Sequence, residues 1–316
     1  MHNGSIAKVA VIGAGTMGPG IAQSFARHGL EVSLYTRRQE TLDRALRVIE
    51  ASLDVFIEEG LLGAGEKEVI LARIRPTRFL EEVGAGADLV VETVVEKKEV
   101  KQEVFRELDG ICPRHTIFTS NTSYLDIFSI TPRPSLTAIA HWFAPPQVVP
   151  LVEVVKGPQT SEATVEAVTS LLTAIGKVPV VLNKFVPGFV INRLQRALGR
   201  EIFYLLDNGF IDAEALDLAV KASLAPRMMV VGVVQRYDFT GLDLSARNLE
   251  NPEFSEAPEN NRPSSLFGLV EAGCLGVKTG KGFYDYSGRK TEEILKERDR
   301  RLLRVFAGTG FCLEKL

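Results

Sequence analysis

The strongest chemical capacity in this sequence lies at His141 and Glu153. Of the four histidines, His2 is near the start, His28 ends a helical stretch and His115 precedes a strand. His141 instead closes the apolar run LTAIAH and is followed by Trp142-Phe143-Ala144-Pro145-Pro146. Glu153 interrupts a second apolar run, Leu151-Val152-Glu153-Val154-Val155. A carboxylate inside such a strand is costly to bury without a partner, and His141 ends the neighbouring run. Together they form an imidazole with a carboxylate on one nitrogen and the other nitrogen free to take a proton, which is general-base chemistry. The plain alternative is a structural His–Glu pair. Ser123 closes the loop Ser120-Asn121-Thr122-Ser123 just after an apolar run, where a hydroxyl would face a crevice, although serine loops are often only turns. Asn192 is polar among Phe189, Val190, Ile191 and Leu194; it would either donate to a substrate oxygen or cap locally. No G-x-S-x-G elbow accompanies them, so the pattern gives no support to a hydrolase.

These side chains need a scaffold, and the first segment supplies its type. Val9-Ala10-Val11-Ile12 runs into Gly13-Ala14-Gly15-Thr16-Met17-Gly18 and then the apolar Ile21-Ala22-Gln23-Ser24-Phe25-Ala26. Strand, glycine turn and helix in that order form a dinucleotide-binding fingerprint. Gly13 permits the turn, Gly15 lets a pyrophosphate approach the backbone, and Gly18 allows close helix–strand packing above the positive end of the helix. Strand two is expected over 31–35. Roughly 20 residues past the glycines, where an acidic residue would hold the ribose 2′-hydroxyl of NAD, stands Thr36, followed by Arg37-Arg38. Two arginines suit the 2′-phosphate of NADP, so the sequence predicts NAD or NADP with a lean to NADP. A solvated arginine pair is the competing reading.

Further strands are expected near 73–76, 88–92, 116–119, 136–142, 151–155 and 177–181. A long amphipathic helix over 39–60 carries Leu42, Ala45, Leu46, Ile49, Leu53 and Phe56 on one stripe. Strands alternating with helices predict an α/β fold with a Rossmann-like, doubly wound, mainly parallel sheet. After about residue 185 the pattern turns helical: 189–208, 213–223, 228–239, 265–272 and 291–306. Asp212 reads as an N-cap and Asn208-Gly209 as a stop. The predicted domains are therefore 1–185, binding the dinucleotide, and a smaller all-helical 186–316.

The chain has 316 residues, a net charge of −3, 45% hydrophobic and 24% charged residues. Two domains of ordinary globular composition follow. There is no basic block for nucleic acid and no apolar run near the ~20 residues of a membrane helix. Met1 leads almost directly into the first strand without a signal-peptide pattern. Cys112, Cys274 and Cys312 are scattered and lack metal spacing, which suits a reducing, cytoplasmic setting and predicts no metal.

At this point the chain resembles the L-3-hydroxyacyl-CoA dehydrogenases, a family that also includes dehydrogenases of free hydroxy acids and alcohols. The resemblance spans nearly the whole chain: VIGAGTMGPGIA (11–22), VVETVVEKKEVKQEVF (90–105), SNTS (120–123), HWFAPPQVVPLVEVV (141–155), VPGFVINRL (186–194), GLD (241–243) and GVKTGKGFYDY (276–286). It implies reversible oxidation of a 3-hydroxyacyl-CoA by a nicotinamide cofactor, and a homodimer formed through the helical domain. It also implies His141 as base, Glu153 as its orienting partner, Ser123 and Asn192 on the reacting oxygen, and Glu96 and Lys101 near the nicotinamide and its ribose. The departures concern the ligands. Thr36 replaces the acidic ribose ligand, and Ala144 replaces an asparagine three residues past the histidine. Ser52 matches a CoA-contacting serine, but Glu59 stands where a lysine would meet a CoA phosphate. Arg236 is added in the second-domain stretch Gly232–Asp238. The leading expectation remains a CoA thioester. A free hydroxy acid clamped by Arg236 is the alternative, and a nucleotide-binding protein without turnover is the alternative of another class.

Overall fold

A computed structural model describes residues 6–253 and 255–313. They fall into two compact units, the first ending at Asn192 and the second starting at Arg193.

The first unit is built on an eight-stranded sheet. Its strands are β1 (Lys8–Ile12), β2 (Glu31–Tyr35), β3 (Ile74–Thr77), β4 (Leu89–Glu92), β5 (Ile117–Ser120), β6 (Thr137–Trp142), β7 (Leu151–Lys156) and β8 (Val178–Leu182). The spatial order is β3-β2-β1-β4-β5-β6-β7-β8. The first six run parallel; β7 pairs antiparallel with β6, and β8 runs parallel to β7. The order reverses between β1 and β4, the switch point where a crevice opens beyond the strand carboxyl ends. Helices α1 (Gly18–Arg27), α2 (Gln39–Glu58), α3 (Glu66–Ala72), α4 (Leu80–Gly84), α5 (Lys98–Ile111) and α6 (Glu162–Ala174) connect the strands.

Because strand side chains alternate, the sheet feeds two cores. Val9, Val11, Val91, Ala140, Trp142, Val152 and Val154 pack with Phe25 and Ile49 on one face. Ala10, Ile12, Val90, Ile139 and Val155 pack with Phe105, Leu108 and Phe189 on the other. Trp142 meets Phe25 edge-on at 5.6 Å between ring centroids. His141 and Glu153 therefore emerge on the face opposite Trp142 and Val154. All eight expected strands are present. The short helices α3 and α4, with only one and three buried residues, had too little apolar periodicity to be read in advance.

The second unit is helical. It continues α7 (Ile191–Asp207) and adds α8 (Ala213–Ala219), α9 (Ala225–Val231), α10 (Gln235–Thr240), α11 (Leu242–Leu249), α12 (Ser264–Glu271) and α13 (Thr291–Gly308). Asp212 caps α8, accepting the Ala215 N–H at 2.8 Å, and Gly209 adopts φ 67° after α7. The single helix expected over 228–239 is instead broken at Gly232, whose φ of 69° separates α9 from α10; beyond it Gly241, at φ 96°, separates α10 from α11. Asp207 accepts the N–H groups of Ser264 and Ser265 at 2.9 and 2.7 Å, fixing the start of α12. Apolar burial here is sparse. Leu303 and Ala257 are buried, while Phe210, Leu218, Val234, Phe239, Leu242 and Leu249 are 64–83% exposed.

Candidate active site

The antiparallel register of β6 and β7 sets His141 directly opposite Glu153. His141 Nδ1 lies 2.8 Å from Glu153 Oε2, and the two residues are 4% and 1% exposed. A carboxylate can only accept, so Nδ1 is the donor; Nε2 has no hydrogen-bond partner among the described residues. The ring is flanked edge-on by Phe143 and Phe189 at 4.6 and 5.2 Å. These rings keep the pair dry, which strengthens its electrostatics.

The other Glu153 oxygen is held by the first residue of α7 and the one before it. Gly188 and Phe189 take φ of 80° and 51° in succession, a left-handed turn that costs a non-glycine residue about 1–3 kcal/mol. That turn buries the Phe189 ring against His141 and directs the Val190 and Ile191 N–H groups to Glu153 Oε1 at 2.9 and 3.0 Å. Burial raises the Glu153 pKa, but hydrogen bonds from His141, Ile191 and Val190 outweigh it and hold the carboxyl below its usual range. The pair is thus an ionised carboxylate bonded to an imidazole.

The SNTS loop follows β5 alongside. Asn121 Oδ1 accepts the Trp142 N–H at 2.7 Å, joining this loop to the end of β6. Glu96 Oε1 accepts from Thr122 Oγ1 at 2.5 Å and from the Ser123 N–H at 2.7 Å. Glu96 Oε2 lies 3.1 Å from Lys101 Nζ, which is 1% exposed and also donates to both oxygens of Glu92 at 2.8 and 2.9 Å. The Ser123 hydroxyl and the Asn192 amide have no hydrogen bond among the described residues. Glu92, fully buried, escaped the sequence reading. Its signal was available: a lone carboxylate closing the apolar strand Leu89-Val90-Val91, the same logic that singles out Glu153. Lys177 was also missed. Its ammonium donates to the Pro146 and Val149 carbonyls at 2.6 and 3.0 Å, tethering the loop that follows His141. Burial, with a smaller effect of Arg27, lowers its pKa to about 7.

A cavity of about 580 Å³ opens at the switch point, lined by Gly13, Gly15, Thr16, Met17, Thr36, Arg37, Thr93, Val94 and Asn121 among others. A Cβ on Gly18 would lie 1.9 Å from the Gly13 carbonyl oxygen, and one on Gly13 2.7 Å from the Thr93 oxygen. These two glycines are required by packing. A Cβ on Gly15 would meet nothing within 4 Å, so that backbone is left bare toward the cavity, as close approach of a pyrophosphate demands. The cavity therefore fits a dinucleotide. Arg37 lines it and makes no ion pair among the described residues, but Glu103 and Glu107 line it too. Of the residues expected to bind substrate, Ser52 sits half-buried on α2 and is not among those lining the cavity. Arg236 belongs to the second unit, its guanidinium 4.4 Å from the Tyr237 ring centroid.

Comparison with known proteins gives two family matches. Residues 8–185 match the NAD binding domain of 3-hydroxyacyl-CoA dehydrogenase, and residues 188–286 match its C-terminal domain. The chain is 34% identical over 308 residues to a 5-formyl-3-hydroxy-2-methylpyridine 4-carboxylate 5-dehydrogenase of Mesorhizobium japonicum, covering 95% of this chain and 97% of that one. It is 38% identical over 283 residues to a probable 3-hydroxybutyryl-CoA dehydrogenase of Deinococcus radiodurans, covering 88% and 100%. A crystal structure of the pyridine-carboxylate dehydrogenase, described as an NAD+ dependent dismutase, superposes with a TM-score of 0.87 at 32% identity over 96% of this chain and 99% of that one.

Proposed function

Because the chain belongs to the 3-hydroxyacyl-CoA dehydrogenase family, NAD-dependent oxidoreductases of CH–OH groups, we propose that His141 is the general base of such an oxidation. The observation that carries this is the buried 2.8 Å contact from Nδ1 to Glu153, with Nε2 left unpartnered. When bound, the dinucleotide supplies the hydride acceptor. His141 Nε2 takes the hydroxyl proton, and Glu153 stabilises the imidazolium that results. In the reverse direction His141 returns the proton while the Ser123 hydroxyl and the Asn192 amide polarise the carbonyl. Glu96 and Lys101 order the redox end of the cleft, and Gly13–Met17 cradle the pyrophosphate. His141→Ala should lower kcat by about 10²–10⁴ with dinucleotide Kd unchanged; a variant of undiminished kcat would remove the mechanism.

The alcohol admits two readings. A 3-hydroxyacyl-CoA is the substrate named for several relatives. A free hydroxy compound bearing a carboxylate is favoured by two observations, and it is the reading we carry. Glu59 places negative charge where the resemblance puts a lysine for the CoA phosphate, and Glu58 stands beside it. Near-complete overlap with a pyridine-carboxylate dehydrogenase supports the same reading. Arg236 is then a carboxylate clamp, and Ser52 has no CoA to meet. Initial rates with 3-hydroxybutyryl-CoA against free hydroxy carboxylates decide between them; turnover of the thioester alone would refute the free-acid reading.

Thr36 puts no like charge against a 2′-phosphate and Arg37 offers it a counter-charge, while Glu107 opposes it. We therefore infer that NADP is accepted beside NAD, which kcat/KM for the two cofactors measures. The sparse core of the second unit supports a homodimer formed through it. The three unpaired cysteines support a cytoplasmic setting; no helix among the described residues is long and apolar enough to cross a membrane.

A further inference from the structure

Glu92 lies outside the proton-transfer machinery, yet it is fully buried and carefully bonded. Its Oε1 accepts the Val94 N–H at 2.7 Å and Lys101 Nζ at 2.8 Å; its Oε2 accepts Lys101 Nζ at 2.9 Å and Ser120 Oγ at 2.5 Å. Burial pushes its pKa up, with Lys101, Ser120 and Val94 acting against that rise. All of these hydrogen bonds are donated to it and none accepts a carboxyl proton, so the geometry is that of a carboxylate. Lys101 is shared with Glu96. Two carboxylates and one ammonium leave one negative charge uncompensated. No other charged side chain contacts the three among the described residues, and Lys97 and Lys98 nearby are exposed and screened by solvent.

The location gives this charge a use. The cluster sits at the carboxyl ends of β4 and β5, directly behind the cavity wall formed by Val94 and Asn121. Thr36 and Arg37 mark the adenosine end of the cavity and the glycine turn its pyrophosphate centre. The β4–β5 end therefore faces the remaining ring, which is cationic when oxidised and neutral when reduced. We propose that Glu92, through Lys101 and Glu96, holds a buried negative charge beneath the redox end of the cleft and so biases binding toward the oxidised dinucleotide. The inference rests on the reading of this cavity as the dinucleotide site. It makes Glu92 a positioning residue that also sets the charge of the site.

The test is isothermal titration of the full-length protein with NAD+ and with NADH, wild type against Glu92→Gln. Loss of a unit charge at roughly 10 Å in a protein-like dielectric should raise Kd(NAD+)/Kd(NADH) about tenfold. Glu92→Asp, which keeps the charge, should restore the ratio. Glu96→Gln, at a half-exposed position, should move it in the same direction even if Glu92→Gln does not fold. A purely structural role would weaken both forms equally, and an unchanged ratio in the folded variants overturns the inference. A wild-type protein that binds neither form would instead sink the reading of the cavity itself.

Discussion

At the scale of single residues, the proposed mechanism asks Glu153 to serve chemistry and stability at once. It carries three hydrogen bonds and is almost wholly buried. Glu153→Gln would keep the shape but lose the charge that supports an imidazolium, so kcat should fall by roughly 10²-fold or more. The same variant has a pH signature. Because the folded pKa is lowered, the carboxylate stabilises the fold above its unfolded pKa of about 4.3, and that contribution is lost as pH falls toward the folded value. Unfolding scans between pH 3 and 6 should show a shallower acid loss in Glu153→Gln than in wild type; parallel curves would contradict it. That His141 and Glu153 meet was legible in the sequence because each breaks or ends an apolar run, and buried polarity demands a partner. The left-handed Phe189 was not legible, since nothing but the preceding Pro-Gly hints at a turn there. Asn121 was read only as part of a loop, because its bond to the Trp142 backbone depends on which strands are neighbours.

At the scale of elements, the glycine turn separates folding from binding. Gly18→Ala would drive a Cβ into the Gly13 carbonyl and should cost roughly 1–3 kcal/mol, as overpacking does. Gly15→Ala meets empty space and should stay within about 0.5 kcal/mol of wild type, while dinucleotide affinity falls. Chemical denaturation beside cofactor titration would check both; a Gly15→Ala protein with wild-type affinity would refute the cradle. The loop between β6 and β7 hangs on Lys177. Its folded pKa of about 7 lies below the unfolded value of about 10.4, so between those limits the unfolded chain holds a proton the folded one has shed. Stability from this group therefore rises with pH across that window. Lys177→Met should lower Tm and flatten the rise between pH 7 and 9.5; an unaltered slope would refute it. Most strand positions in the first unit were legible because they are short apolar or alternating runs between turn signals; β3, Ile74-Arg75-Pro76-Thr77, has only Ile74 as an apolar cue and rests on its place in the strand–helix alternation. The interruption at Gly232 was hidden inside a run that keeps helical periodicity on both sides.

At the scale of the whole molecule, the two units differ in how they spend apolar residues. The first buries them in two continuous cores across the sheet, and its fold class followed from strand–helix alternation alone. The second leaves Val234, Phe239, Leu242 and Leu249 largely in water, apolar surface that a homodimer formed through this unit would cover. Light scattering coupled to size exclusion should give twice the mass of one chain at micromolar concentration; a single-chain mass would reject the homodimer. If the pairing holds, this surface has a thermodynamic consequence. Resistance to heat ceases to be a constant of the polypeptide and becomes a function of how much of it is dissolved. By mass action, hundredfold dilution would remove about 2.7 kcal/mol of apparent stability, so scarce samples should melt early while concentrated ones endure.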